Sequence, residues 1–230
     1  MTLKRSVILS GLTFILTGLL ISCAARSTKD PAVMLQWASE EFSSKDDPIA
    51  AEEFLQQALE IYRKKMDRLG LAETYRQYGL FLRSNAVSKF EKHYNTVGFL
   101  DESVKFTNRY QKAVEYLLKA EEIFEENKKY NTLSTVHISL AKTYAHLNRP
   151  KEACESLTKG MISYNAFKKT NPDMKEYHAE EVADYEEYIG ILRKQLSCPA
   201  EAPVEEKKAE KKAEPGPKKE TPSHSVGSPQ

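Results

Sequence analysis

The chain has 230 residues, with 34 Lys and Arg against 33 Asp and Glu for a net charge of +1. That balance leaves no bulk field to attract nucleic acid, and the length suffices for one good core plus a tail. Twelve Tyr and nine Phe beside only nine Gly suit long helices better than tight turns, so an all-α fold is expected.

At the front, Lys4 and Arg5 precede an uncharged apolar stretch of 17 residues, "SVILSGLTFILTGLLIS" (6–22). A spanning helix needs ~20 such residues. A positive start, an apolar middle and small residues before a cut form a secretory signal. Leu20-Ile21-Ser22-Cys23 then resembles the bacterial lipobox. The resemblance implies cleavage before Cys23, a diacylglycerol thioether on its sulfur and acylation of the new amino terminus. Residues 1–22 are the expected signal peptide and 23–30 a lipidated tether. One chain of about fourteen carbons binds a membrane only marginally, so several acyl groups on Cys23 make a lasting anchor. The competing readings are an uncleaved transmembrane helix and a plain signal with an incidental cysteine. Ala24 follows, and Asp there resembles an inner-membrane retention signal of enteric-type bacteria. Its absence favours the outer membrane, facing the periplasm, if the source is Gram-negative. The covalent lipid is the one non-protein group expected, with no other cofactor.

Next, Asp30-Pro31, Asp47-Pro48 and Asn171-Pro172 each set a capping side chain before a proline suited to a first helical turn. Gly70 and Asn148 fall where helices should stop. Helices are expected near 31–44, 48–69, 71–95, 101–128, 132–147, 150–168 and 172–197.

Within them the pattern repeats. "AAEEFLQQALEIY" (50–62), "KAVEYLLKAEEIF" (112–124) and "EACESLTKGMISY" (152–164) align on Ala51, Ala113 and Ala153. Leu55, Leu117 and Leu157 follow at four residues, then Ala58, Ala120 and Gly160 at three more. Upstream, "LQWASEEF", "YRQYGLFL" and "HISLAKTY" align on Ser39, Gly79 and Ala141. Small residues at these spacings let two helices approach while the leucine fills the gap. The pattern resembles the tetratricopeptide repeat, and "QQALEIYRKKMDRLGLAETYRQYG" resembles its longer, roughly 40-residue, kinesin-light-chain-type variety. The resemblance implies a short right-handed α-solenoid of three helix pairs over about 31–69, 71–128 and 132–168, with a capping helix at 172–197. An irregular helical bundle is the alternative.

The spacing also exposes an insertion. Ser39 to Gly79 and Ala113 to Ala153 are 40 residues each, whereas Gly79 to Ala141 and Ala51 to Ala113 are 62. Twenty-two extra residues therefore lie between Gly79 and Ala113. Two elevens are close to six α-helical turns, which keeps faces in phase. Ala86, Phe90 and Tyr94 continue one face, and Phe106 and Tyr110 lead back into Ala113. An elongated middle hairpin is expected, projecting about 16 Å beyond its neighbours, with "TVGFL" (96–100) as its turn and Asp101 as a cap. A disordered insertion is the other reading.

Val182, Tyr185, Ile189, Leu192 and Leu196 share a stripe suited to a lid over the last repeat. Beyond it, "EEKKAEKKAEPGPKKE" and its flanks (198–230) lack the apolar area to offset ordering, ~1–2 kcal/mol per residue, and read as a disordered Lys/Glu/Pro tail. Cys154 and Cys198 form a candidate disulfide in an oxidising compartment. Uninterrupted helices on both sides of the turn near 170 would carry Cys198 ~18 Å past Cys154. The pair closes only if the last helix starts late or bends.

No histidine spacing builds a zinc site, and no phosphate loop, G-x-S-x-G elbow or Cys-x-x-Cys pair occurs. No catalytic residue is assigned, no metal is expected, and the chain does not read as an enzyme. His137 reads as a packing residue; Glu121-Glu122 and Glu125-Glu126 read as a solvated face. In the tetratricopeptide family the first helices line a concave face that holds a peptide or partner helix. By register that face offers Gln36, Glu40, Arg76, Leu80, Arg83, Ile138, Lys142 and His146, with Arg76, Arg83 and Lys142 suited to an acidic segment. The family's carboxylate-gripping Lys/Asn arrangement is absent, because Gln36 and Glu40 stand there. The function expected is a membrane-anchored scaffold that binds a protein or peptide of the cell envelope and assists assembly of an envelope complex. A helical carrier of a small hydrophobic ligand and a spacer whose tail contacts the cell wall are the alternatives.

Overall fold

A computed structural model describes residues 28–172 and 184–199. The expected signal peptide, Cys23 with most of its tether, and the tail from 200 onward lie outside the described residues. The chain divides into 1–198 and 199–230, and the account below concerns the first unit. Among the described residues all regular structure is helical, and no helix is long and apolar enough to cross a membrane.

The helix starts follow from local chemistry. Asp30 accepts from the amide of Ala32 at 2.9 Å and opens α1 (Pro31–Ser44). Asp47 accepts from Ala50 at 3.1 Å and opens α2 (Pro48–Lys65). In each, the proline sits in the first turn, where its missing N–H costs nothing. α2 stops at Met66, which is left-handed (φ 53°), and Asp67 then caps α3 (Arg68–Arg83) through Gly70. Gly70 therefore starts a helix instead of ending one. Its bare Cα admits the Tyr62 ring, which a Cβ there would meet at 2.1 Å. Asn148 does stop a helix, in the left-handed region that asparagine tolerates (φ 54°).

The expected projecting hairpin does not form. Ser84 turns extended (ψ 154°), and its hydroxyl accepts from Val87 to begin α4 (Asn85–Lys89). Phe90 breaks the chain again before α5 (Glu91–Thr96). A single 3-10 turn (Phe106–Asn108) then leads into α6 (Arg109–Glu126). Asp101 caps no helix: it accepts from the amide of Ser103 at 3.0 Å and from the Tyr116 hydroxyl at 2.6 Å. The physical reason is burial. A straight hairpin would leave its apolar stripe in water, whereas the folded-back segment buries Ala86, Val87, Tyr94, Phe99 and Val104 in one core with Leu35, Leu55 and Phe81. Each large side chain so buried contributes roughly 1.5–3 kcal/mol. Tyr94 and Phe99 stack at 3.9 Å, and Lys89 pairs with Asp46. Glu52, buried on α2, accepts the amide of Leu100 at 2.8 Å and pins the loop. Burial outweighs that bond and pushes the Glu52 carboxyl up to about 7.

The remaining helices are α7 (Tyr130–His146), α8 (Pro150–Thr170) and α9 (Tyr185–Gln195). α1 packs on α2, α3 on α6 and α7 on α8; α2 meets α3, α6 meets α7, and α1 and α7 both touch α3. Short connections make sequential neighbours antiparallel. The repeated positions lie in these contacts: Ala51, Ala113 and Ala153 are fully buried, as are Leu55, Leu117 and Leu157. At Gly79 a Cβ would stand 2.5 Å from Cγ of Leu117, so the approach of α3 to α6 requires glycine.

The last helix begins at Tyr185, capped by Asp184 through the amide of Glu187 at 2.7 Å. Asn171 caps the end of α8. The stretch 173–183, where the first turns of the helix expected from 172 would fall, lies outside the described residues. Cys154 and Cys198 stand 5.6 Å apart at Cα and are disulfide-bonded. Ile189 and Leu192 are buried against Ala141 and Leu157, with Tyr185 and Leu196 packed beside them. Val182, the first of the expected stripe, lies outside the described residues.

Candidate functional site

The eight residues expected on the inner face have different fates. Gln36 donates to Glu40 at 3.2 Å on α1. Arg76 is held by Glu73 of its own helix, with Nε to Oε2 at 2.9 Å. Leu80 packs on the first core. Ile138 packs with Ile189 of α9 in the third core, so the terminal helix covers it.

Arg83, Lys142 and His146 come together, and residues from α6 and α9 join them. The His146 ring stacks on Tyr110, centroids 4.7 Å apart and planes 6° apart. The Arg109 guanidinium lies 4.3 Å from the centre of the Tyr110 ring and 3.9 Å from that of Phe106. Its nitrogens donate to the Phe106 carbonyl, the Ser88 hydroxyl and the Tyr110 hydroxyl at 3.0–3.3 Å. Lys142 donates to the Tyr188 hydroxyl at 2.7 Å and lies 5.3 Å from that ring's centre. Such cation–aromatic contacts are worth ~0.5–2 kcal/mol each, and they hold the cations in place without neutralising them.

Arg83 is the least satisfied member. Its Nε is buried and bonded to nothing, as is Nε of Arg109. Desolvation lowers the Arg83 pKa, and the groups opposing that are the phenols of Tyr188 and Tyr110. Burial, then the charges of Arg83 and Arg109, push the His146 imidazole down. Among the described residues no carboxylate acts on either residue. The cluster has cations from α3, α6 and α7 and no anion among the described residues.

Glu121 and His137 are used internally. Glu121, expected in water, is buried and accepts from Lys159 of α8 at 2.9 Å. His137 lies 3.8 Å from the same carboxylate oxygen, and burial lowers its pKa to about 4, so it is neutral at pH 7. Among the described residues no group of His, Cys, Asp and Glu is arranged to hold a metal ion. A cleft of about 450 Å³ opens between Tyr94, Phe99, Val104 and Phe106.

Sequence reasoning missed Arg109, Tyr110 and Tyr188 as site residues. In sequence Tyr110 reads as one of the apolar residues leading back into Ala113. The available signal was the run Phe106-Thr107-Asn108-Arg109-Tyr110, a cation between two aromatics at helical spacing. No protein-family model, curated protein or solved structure matches the chain.

Proposed function

We propose that the chain is a lipid-anchored scaffold of the bacterial envelope, built as a short right-handed solenoid of three tetratricopeptide-like helix pairs. The first helices of the pairs, α1, α3 and α7, offer a concave face to a protein or peptide partner. The observation that carries this reading is the unneutralised cluster of Arg83, Lys142 and His146, drawn from two successive first helices. The succession of packed pairs and the burial of the repeated Ala and Leu positions support it. A scaffold needs a partner surface and a tether, and the lipobox-like Cys23 supplies the second.

Affinity capture of the full chain from cross-linked envelopes tests the reading. One stoichiometric protein partner is expected; recovery of the chain alone overturns it. Cys23→Ala separately tests the tether, since the variant is expected in the soluble fraction and wild-type chain in the membrane fraction. A carrier of a small hydrophobic ligand is the second reading, favoured by the aromatic cleft at Tyr94, Phe99 and Phe106, whose volume is in the range of ligand sites. Native mass spectrometry that retains a hydrophobic molecule on the purified chain would put that reading first.

A further inference from the structure

The cations around Tyr110 and Tyr188 carry an electrostatic burden that no described residue answers. Among the described residues the Arg83 side chain has no hydrogen-bond or ion-pair partner, although its Nε is buried. An arginine cannot relieve this by losing its proton. Arg109 stands close enough to act on the same imidazole as Arg83, and the one partner of Lys142 is a neutral phenol. Arg76 is paired to Glu73, Lys112 to Glu115 and Arg149 to Glu152. The cluster has no such carboxylate among the described residues, and it suits a charge supplied from outside.

Resting on the scaffold reading above, we propose that this cluster receives the carboxylates of an acidic polypeptide segment. Arg83 and Lys142 make the direct contacts, while Arg109 and His146 add positive field from the Tyr110 side. The guanidinium fork matches a carboxylate in plane and spacing, and partial burial strengthens each charge-assisted bond. The cationic donors come from three helices, α3, α6 and α7, and Tyr188 of α9 holds Lys142 in place.

The test uses the full mature chain and a fluorescent twelve-residue Asp/Glu peptide, with its Asn/Gln counterpart and phosphatidylglycerol vesicles as competing probes. Saturable binding of the acidic peptide is expected, at least tenfold tighter than its amide counterpart. Arg83→Gln and Lys142→Gln should each weaken it tenfold or more, whereas Arg76→Gln should change it less than twofold. Binding should also raise the pKa of His146 followed by NMR, because the peptide offsets the neighbouring cations. Arg83→Gln alone should raise that pKa and the melting temperature, since it removes an unpaired, half-buried charge. Equal binding of the two peptides, or unchanged affinity in Arg83→Gln, overturns the proposal. So does a vesicle preference that Arg83→Gln abolishes, or a lowered melting temperature in that variant, which would mark Arg83 as structural. The envelope capture separates the two levels. A partner recovered equally by wild type and Arg83→Gln sinks this inference and leaves the scaffold reading standing, whereas no partner with wild type ends the scaffold reading.

Discussion

Glu52 ties the stability of this fold to pH in a direction unusual for a carboxylate. Its folded pKa is raised from the ordinary 4.5 to about 7, because burial outweighs the amides of Leu100 and Asp101 that favour the charged form. Between those two values the folded chain keeps a proton that the unfolded chain has lost. Stability therefore falls as pH rises, fully present below 4.5 and lost by the time pH passes about 7. About 2.5 pH units at ~1.4 kcal/mol each gives a loss of about 3 kcal/mol. Glu52→Gln keeps a carbonyl oxygen for Leu100 and cannot ionise. Urea unfolding of both proteins at pH 5, 6, 7 and 8 isolates the residue, because every other group titrates alike in the two. The variant should stay within ~1 kcal/mol of wild type at pH 5 and exceed it by about 3 kcal/mol at pH 8. A difference that does not change with pH, or one that shifts toward wild type as pH rises, would refute the reasoning.

Replacing both Cys154 and Cys198 with serine opens a 44-residue loop and should lower unfolding free energy by about 4 kcal/mol on the chain-entropy estimate. Reductant should do the same to wild type and nothing to the variant. Gly79→Ala gains ~1 kcal/mol of helix propensity but drives a methyl into Leu117, for ~1–3 kcal/mol of overpacking. A net loss of about 1 kcal/mol is expected in urea unfolding, and a gain would show that α3 and α6 can part freely. Tyr116→Phe removes the donor to Asp101 and should cost about 1–2 kcal/mol, with faster amide hydrogen exchange over 97–105 than elsewhere in the domain.

What the sequence made legible was local. Asp before Pro announces a helix start wherever it occurs, because cap and ring act within one turn, and α1 and α2 begin where Asp30 and Asp47 indicate. The spacing of Ala51, Leu55 and Ala58 and of its two copies identified buried positions, since a small residue beside a leucine is what close helix packing requires. Direction was not legible. Ala86, Phe90 and Tyr94 share a face whether the chain runs on or doubles back, and periodicity reports the face alone. The choice rested on Ser84, a good cap in the middle of a helical pattern, and on a distant acceptor, Glu52. The same limit hid the disulfide, because the start of α9 at Asp184 decides where Cys198 falls.

The residues that escaped sequence reading are also those that complete the cluster. Arg83 lies on α3 and Lys142 and His146 on α7, on helices that the sequence register singled out. Ser88, Phe106, Arg109 and Tyr110 lie between Gly79 and Ala113, the stretch that carries the extra residues, and Tyr188 lies on the terminal helix. A regular third-pair-on-second-pair stack would present Arg83 and Lys142 as two solvated charges. The insertion adds a stacked guanidinium and the terminal helix a phenol, and together they gather those charges into one cationic cluster. Sites are expected where a chain departs from its own regularity, because each departure costs stability that must be offset elsewhere. Here the residues outside the regular spacing gather at one place, beside an Arg83 whose Nε is buried without a hydrogen-bond partner.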